Sequence, residues 1–204
     1  MTEPAGKNRL TLLLIAGLPV TMILLATWLW FYVASGKIDL VELLGTANNG
    51  ELLSPPLPLQ DINVYNSEDK LVTLFAVDNE LWRILIPAPQ HCEQACIQDL
   101  YYTRQIHTAL GKYHNRIERI YLTRDRELAQ GFPRDLQGEH PGLKVLYTPD
   151  ADAAELWQQL LADESQTGYF LVDPRGWIMM SYRSDMDGKD VMSDMKFLLK
   201  NSSG

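Results

Sequence analysis

The sequence has few side chains that bind metals or exchange electrons, with two cysteines and four histidines among 204 residues. Both cysteines lie in one short segment, HCEQAC (91–96), and there is no second cysteine pair to complete a four-ligand zinc site. The chain also lacks a cluster of lysines and arginines and has a formal net charge of -8. Nucleic acid is therefore not expected as a partner, because binding to phosphates needs a basic surface.

Charge is absent from a long stretch near the N-terminus. Residues 10–36 contain no charged side chain, and a helix of that length crosses a hydrocarbon core of about 30 Å. We therefore predict a transmembrane helix over residues 10–35 that contacts the lipid bilayer. A cleaved signal peptide is the alternative, but its apolar region has only roughly 7 to 15 residues and is followed by small residues. This stretch ends instead in WLWFY.

The charges beside this stretch predict its orientation. Lys7 and Arg9 precede it, whereas Lys37 after it is balanced by Asp39 and Glu42. The excess of basic residues on the N-terminal side favours a cytoplasmic N-terminus. In a bacterium, we expect a single-pass protein of the inner (cytoplasmic) membrane whose C-terminal domain is periplasmic. That compartment is oxidising and allows nearby cysteines to form a disulfide.

The remaining chain divides by composition into a tether and a folded domain. After the cytoplasmic residues 1–9 and the helix, residues 36–60 contain TANNG and SPPLP, a composition typical of an extended linker. We predict one folded domain over residues 61–200, followed by a short tail at 201–204.

The pattern within the folded domain predicts alternating strands and helices. Residues 62–74 show two short apolar runs around NSED, which predicts an N-terminal hairpin. From Leu81 the predicted order is strand, helix, strand, a long loop with a short strand, helix, two strands and helix. Such an order indicates an α/β fold with a central sheet flanked by helices.

The spacing of the cysteines permits two kinds of chemistry. Residues four apart on a helix share a face, with Cβ atoms about 5 to 6 Å apart, so Cys92 and Cys96 can form a disulfide or bind one soft ion such as Cu(I). The N-terminus of a helix stabilises a thiolate, whereas the carboxylate of Glu93 between them opposes it. A purely structural disulfide is the alternative, although so small a loop contributes little chain entropy.

Several segments together resemble a known family. LWRILIPAPQHCEQACIQDL (81–100) resembles the strand, loop, H-C-x-x-x-C motif and helix start of the SCO/SenC family, membrane-anchored thioredoxin-like proteins that help deliver copper to cytochrome c oxidase. YLTRDRE (121–127), GLKVLYTPDADAAELWQQL (142–160) and YFLVDPRG (169–176) resemble later parts of that family. The resemblance covers about residues 60–200. It implies a thioredoxin-like domain in which Cys92 and Cys96 act as a redox pair or as ligands of Cu(I).

The sequence departs from the family pattern at the third copper ligand. The family has a histidine shortly before the strand that leads into the P-x-G turn, and the corresponding position here is Ser165. Residues 164–168 contain no histidine, and Arg175 replaces the usual acidic residue of the turn. The resemblance therefore does not supply a complete copper site.

Other side chains are candidates for the missing ligand. His107 follows Cys96 by eleven residues, or about 16 Å along a helix, so we expect neither His107 nor His114 to reach the sulfurs. His91 and His140 remain weak candidates. Three methionines after the P-x-G turn offer thioethers suited to Cu(I), although most methionines fill cores; they are Met179, Met180 and Met186.

Two functional hypotheses follow. The first is an exported thioredoxin-like protein that assists assembly of the copper site of cytochrome c oxidase, with Cys92 and Cys96 exchanging electrons or holding Cu(I). Its enzymatic activity would be at most that of a thiol-disulfide oxidoreductase, and its partner a respiratory oxidase or the assembly machinery. The second is a non-catalytic scaffold or accessory subunit of a respiratory membrane complex. The absent third ligand and Glu93 favour the second hypothesis.

Overall fold

The apolar N-terminal stretch forms helix α1 (Ala5–Ala34). In the computed structural model the described residues are 5–35, 48–76, 80–88, 92–124, 126–132, 134–161 and 168–202. The chain divides into two units, Met1–Ala47 and Asn48–Gly204. Within α1, the segment Thr11–Tyr32 has a mean hydropathy of 2.3 and is long and apolar enough to cross a membrane. The apolar N-terminal helix predicted from the sequence is therefore present, and its role as a transmembrane span at residues 10–35 stays a prediction.

The second unit is built on a mixed sheet of seven strands. The strands are β1 (Glu51–Pro58), β2 (Tyr65–Asn66), β3 (Trp82–Pro87), β4 (Ile117–Thr123), β5 (Leu143–Tyr147), β6 (Gly168–Val172) and β7 (Trp177–Arg183). Their order in the sheet is β1-β7-β6-β3-β4-β5-β2. Strands β3, β4 and β5 are parallel, whereas β6 runs antiparallel to β3. Strand β3 is therefore central, which explains why all of its residues are buried, Arg83 included.

Helices cover both faces of the sheet. The described helices of this unit are α2 (Gln94–Ala109), α3 (Arg126–Gln130), α4 (Arg134–Glu139), α5 (Asp150–Leu160) and α6 (Gly188–Asn201), with a 3-10 helix at Gly111–Arg116. Along β3, Ile84 and Ile86 belong to one core cluster with residues of α2 and α6, whereas Leu85 belongs to another with residues of α5. Successive strand residues point to opposite faces, so β3 contributes to both clusters. The predicted α/β architecture is confirmed.

Residues 124–142 differ from the predicted long loop. Short helices α3 and α4 occupy much of this segment. Each has only five or six residues, too few to produce a clear helical periodicity in the sequence.

The two predicted hairpins are present. The first is small, with Tyr65 bridged to Leu71 and the amide of Val72 donating to the Val64 carbonyl. The second joins β6 to β7 through Asp173, whose carboxylate accepts the amides of Arg175 and Trp177. Both turns use Asn or Asp side chains to bind local backbone amides.

The sheet also takes in part of the predicted tether. Strand β1, within residues 36–60, pairs antiparallel with β7. Just before it, the buried carboxylate of Asp194 on α6 accepts the backbone amides of Asn49 and Gly50 at 2.9 to 3.0 Å. Residues 36–47, the remainder of the predicted tether, lie outside the described part of the chain.

Candidate redox site

The cysteine pair lies where the central strand gives way to α2. Every residue of β3 is buried, and the amide of Ala88 donates to the Leu122 carbonyl of β4. Residues 89–91, including His91, lie outside the described part of the chain. Cys92 stands two residues before α2, and Cys96 is in its first turn.

The two sulfurs are joined as a disulfide in the structure. The Cα atoms of Cys92 and Cys96 are 5.2 Å apart, and the S–S distance is 2.04 Å. Glu93 is the N-cap residue of α2, but its side chain makes no cap hydrogen bond. The Glu93 side chain therefore does not occupy the backbone amides at the start of α2. These amides point toward the N-terminal end of the helix, where the two cysteines lie, and they favour negative charge there. The side chain of Glu93 is exposed, so solvent screens its opposing charge.

The two sulfurs differ in their environment. Cys92 is half-buried, whereas Cys96 is 3% exposed and belongs to the core cluster that contains α2 and α6. An incoming thiolate therefore reaches the sulfur of Cys92 more readily than that of Cys96. Thiol-disulfide exchange depends on which sulfur is accessible to attack.

Tyr121 of β4 lies against the buried sulfur. Its hydroxyl is 3.6 Å from the Cys96 Sγ, and its ring lies 4.9 Å from the ring of Phe132. Burial raises the pKa of Tyr121 to about 12, so the hydroxyl keeps its proton at neutral pH. Tyr121 was not predicted from the sequence, because its position depends on how β4 and α2 pack together.

Asp99 is a second functional candidate that the sequence did not reveal. It lies three residues beyond Cys96 on α2 and is 1% exposed. Burial raises its pKa from 3.8 to about 6, and the hydroxyl of Ser184 opposes this rise more weakly. The sequence gives no sign of this burial, because a single aspartate in a helical segment is usually exposed.

The histidines of the described chain do not join the sulfurs in a metal site. The Nε2 of His107 bonds the Ile117 carbonyl at 3.0 Å, and the Nδ1 of His114 bonds the Gly111 carbonyl at 2.6 Å. Their rings contact one another at the far end of α2, 6.0 Å apart. His140 is buried, and the pKa of His140 is lowered by burial first and then by Arg119 and Arg104.

The three candidate methionines pack in the core. Met180 is buried, and its sulfur accepts a hydrogen bond from the Tyr182 hydroxyl at 3.6 Å. Met179 and Met186 are half-buried and pack against the same cluster as Cys96. This arrangement is the usual role of methionine as a filler of irregular space.

A copper site of three donors is not formed by the described residues. Among them, no group of three histidine, cysteine or acidic side chains is close enough to hold a metal ion. Ser165, at the position of the family histidine, lies in 162–167, outside the described chain. The described donor set therefore fits a disulfide better than a three-coordinate metal.

A family model identifies this unit. The model described as transmembrane-like, thioredoxin-like, C-terminal domain matches residues 82–202, which is more than half of the chain. The chain belongs to this transmembrane-like, thioredoxin-like family. The match contains both cysteines, Tyr121 and Asp99, and it confirms the thioredoxin-like fold predicted from the sequence.

Solved structures place this thioredoxin-like unit near the Sco proteins in fold. Copper-bound Sco1 from yeast is 14% identical, covers 78% of this chain and 97% of its own, and has a TM-score of 0.56. Copper-bound ScoI from Arabidopsis thaliana is 14% identical, covers 72% of this chain and 99% of its own, and also has a TM-score of 0.56. At this identity the likeness concerns the fold, and it agrees with the SCO/SenC resemblance.

A third similar structure is that of another Sco protein. BsSco, a member of the Sco family of cytochrome c oxidase assembly proteins in which a disulfide switch was identified, is 15% identical. It covers 72% of this chain and 97% of its own, with a TM-score of 0.51. A comparison with curated proteins found no significant sequence relative.

Proposed function

We propose that this protein is a membrane-anchored thioredoxin-like factor that exchanges electrons between Cys92–Cys96 and cysteines of a respiratory oxidase, assisting assembly of its copper site. The observation that carries the proposal is the asymmetric disulfide at the start of α2. One sulfur is half-buried and accessible, while the other is buried beside a hydroxyl. The similar fold of Sco assembly proteins supports the choice of partner.

The compartment in the proposal is the periplasm, or the equivalent oxidising side of the membrane. Helix α1 would anchor the protein, and the basic residues Lys7 and Arg9 before it favour a cytoplasmic N-terminus. The thioredoxin-like domain would then meet the periplasmic domains of its partner. A disulfide is stable in that compartment.

The proposed exchange predicts which cysteine forms a mixed disulfide with the partner. Attack at the accessible Cys92 sulfur leaves Cys92 bonded to the partner until Cys96 or a second partner thiol resolves the bond. The same mixed disulfide forms from the other direction in a Cys96→Ser variant of the full chain, in which the Cys92 thiolate attacks a disulfide of the oxidised partner and no Cys96 thiol remains to resolve the bond. This variant should therefore trap a covalent complex in oxidised native membranes, whereas the matched Cys92→Ser variant should trap far less because its remaining Cys96 is buried. The adduct is detected on a non-reducing gel and identified by mass spectrometry after reduction.

Two results would overturn the proposal. One is the absence of any reducible adduct with Cys96→Ser in membranes that contain the oxidase. The other is a reduction potential of the pair below about -300 mV, which marks a locked structural bond. The second result would favour the non-catalytic scaffold.

Carriage of Cu(I) as cargo by the reduced pair is the second candidate. It is favoured by the similar fold of two Sco proteins solved with copper bound, and thiolates suit Cu(I). The test is a competition titration of the reduced full chain with Cu(I) against a chelator, beside a Cys92→Ser, Cys96→Ser double variant. Equal weak affinity of the two proteins would exclude this candidate and leave the exchange reaction untouched.

A further inference from the structure

The contact between Tyr121 and Cys96 has a defined direction. A disulfide sulfur carries no hydrogen, so in the 3.6 Å contact the Tyr121 hydroxyl donates and the Cys96 Sγ accepts. Within the described part of the chain, the Tyr121 hydroxyl has this sulfur as its hydrogen-bond partner. Tyr121 and Cys96 are both 3% exposed, so water does not compete effectively for the hydrogen bond.

Negative charge develops on this sulfur if the pair is reduced. When a thiolate attacks one sulfur of a disulfide, the bonding electrons leave with the other sulfur. Cys92 is the accessible sulfur and Cys96 the buried one. Cys96 is therefore the leaving group, in a site where a thiolate has little water to stabilise it.

We propose that Tyr121 is the hydrogen-bond donor that stabilises Cys96 as the leaving sulfur when a protein dithiol reduces the Cys92–Cys96 bond. This inference rests on the proposed exchange function and specifies its direction and the sulfur attacked. The tyrosine ring also packs against the ring of Phe132. This packing holds the hydroxyl near the sulfur, although the hydroxyl has no second polar partner in the described part of the chain.

The reaction balances as a two-electron exchange. A thiolate of the partner attacks the Cys92 Sγ, the Cys92–Cys96 bond breaks, and its electron pair goes to the Cys96 Sγ, which leaves as a thiolate that accepts the Tyr121 hydrogen bond. The partner's second thiolate then attacks the partner's sulfur in the mixed disulfide and releases Cys92 as a thiolate. The partner loses two electrons and becomes a disulfide, while the pair gains these two electrons and becomes two thiolates.

The decisive variant is Tyr121→Phe in the full chain, purified in detergent. It keeps the ring against Phe132 and removes only the hydroxyl. The matched control is Tyr169→Phe, which removes a buried hydroxyl from the same core cluster. Among the described residues, this hydroxyl makes no hydrogen bond to either cysteine. Both variants and the parent are equilibrated with dithiothreitol and glutathione buffers, and thiols are counted by alkylation and mass spectrometry.

Loss of a hydrogen bond to the leaving sulfur should disfavour the reduced pair. We expect the equilibrium constant for reduction to fall by about tenfold in Tyr121→Phe, which corresponds to a potential about 30 mV more negative. Reduction by dithiothreitol should also slow by a similar factor, while Tyr169→Phe stays within about twofold of the parent on the same scale. Incorporation of 3-fluorotyrosine at position 121, a stronger donor, should shift the potential in the opposite direction.

The outcomes separate this inference from the function on which it rests. A Tyr121→Phe potential and rate equal to the parent's would overturn the role of Tyr121 and leave the exchange function standing. An equal shift in Tyr169→Phe would do the same, since it would indicate a general effect of the core. A reduction potential of the parent below about -300 mV would overturn the exchange function. Even then, the difference between the parent and Tyr121→Phe in their reduction by dithiothreitol would show whether the Tyr121 hydroxyl stabilises the Cys96 sulfur. If Tyr121→Phe does not fold, the fluorotyrosine shift decides, and a potential unchanged or more negative refutes the donor role.

Discussion

Replacing Asp99 by asparagine should make the stability of the thioredoxin-like domain less dependent on pH. Asp99 is buried on α2, and the ion pairs found among the described residues do not include it. Burial raises its pKa to about 6 from an ordinary 3.8. Since the folded state then binds the proton more tightly than the unfolded state, the protonated carboxyl is favoured by folding.

The sign and size of the effect follow from this difference in pKa. Below about pH 4 the carboxyl is protonated in both states, and its contribution is fully present; as the pH rises through 6, ionisation of the buried group removes it. A rise from 3.8 to about 6 corresponds to about 3 kcal/mol at 1.36 kcal/mol per unit. Between pH 4 and pH 7.5 the free energy of unfolding of Asp99→Asn should therefore gain about 2 to 3 kcal/mol relative to the parent.

Urea unfolding of both proteins at several pH values between 4 and 8 measures this difference directly. The contributions of other titrating groups cancel between parent and variant, so the pH dependence of the difference isolates Asp99. The substitution Asp190→Asn provides a matched control, because it removes a carboxylate from an exposed site and not from a buried one. A pH dependence for Asp99→Asn no larger than that for Asp190→Asn would refute the inference that a buried, unpaired carboxylate destabilises the folded domain above pH 6.

Three other substitutions test the fold. Asp194→Asn should lower the free energy of unfolding by about 2 to 4 kcal/mol in urea titration, because asparagine keeps one uncharged acceptor oxygen where the carboxylate accepts both the Asn49 and the Gly50 amide. Amide exchange at these two residues should also become faster, and unchanged exchange at both would contradict this. Gly50→Ala should destabilise by about 1 to 3 kcal/mol, since the new Cβ would overlap the Tyr182 ring, and thermal unfolding equal to the parent's would show that the ring moves away freely. Burial and two arginines lower the pKa of His140, so below pH 6.5 the unfolded chain binds a proton that the folded chain resists, and the parent loses stability. His140→Gln removes this loss and should retain more of its stability than the parent as the pH falls. Acid-unfolding curves of the variant and the parent that run parallel would argue against it.

The elements nearest the cysteines were predictable because their signals are local. Strand β3 has an apolar run that is interrupted by Arg83 and ended by proline. Helix α6 repeats Val191, Met195 and Leu199 at helical spacing, and all three are buried. The turn at Asp173 has the proline and glycine of a β-turn and forms as expected. Each of these depends on neighbours within a few residues.

Features that depend on distant partners were not predictable. Strand β1 contains three prolines, which suggest a tether. It nevertheless pairs with β7, more than a hundred residues later, at the sheet edge where proline is tolerated. The Tyr121 hydroxyl meets Cys96 only because the parallel register sets Tyr121 beside Ile86, near the end of β3. Hydrophobic alternation indicates that Tyr121 is in a strand but does not give its neighbour across elements.

The grip of Asp194 on the chain at Asn49 and Gly50 has a mechanical consequence. A pull from the N-terminal side arrives at this clamp and at β1, an edge strand separated from β3 by β7 and β6. The load is thus borne first by α6 and by β1 at the edge of the sheet, whereas β3, which leads to the cysteines, lies three positions further along the sheet. A pull on the N-terminal side would therefore strain the edge of the sheet before it reached β3.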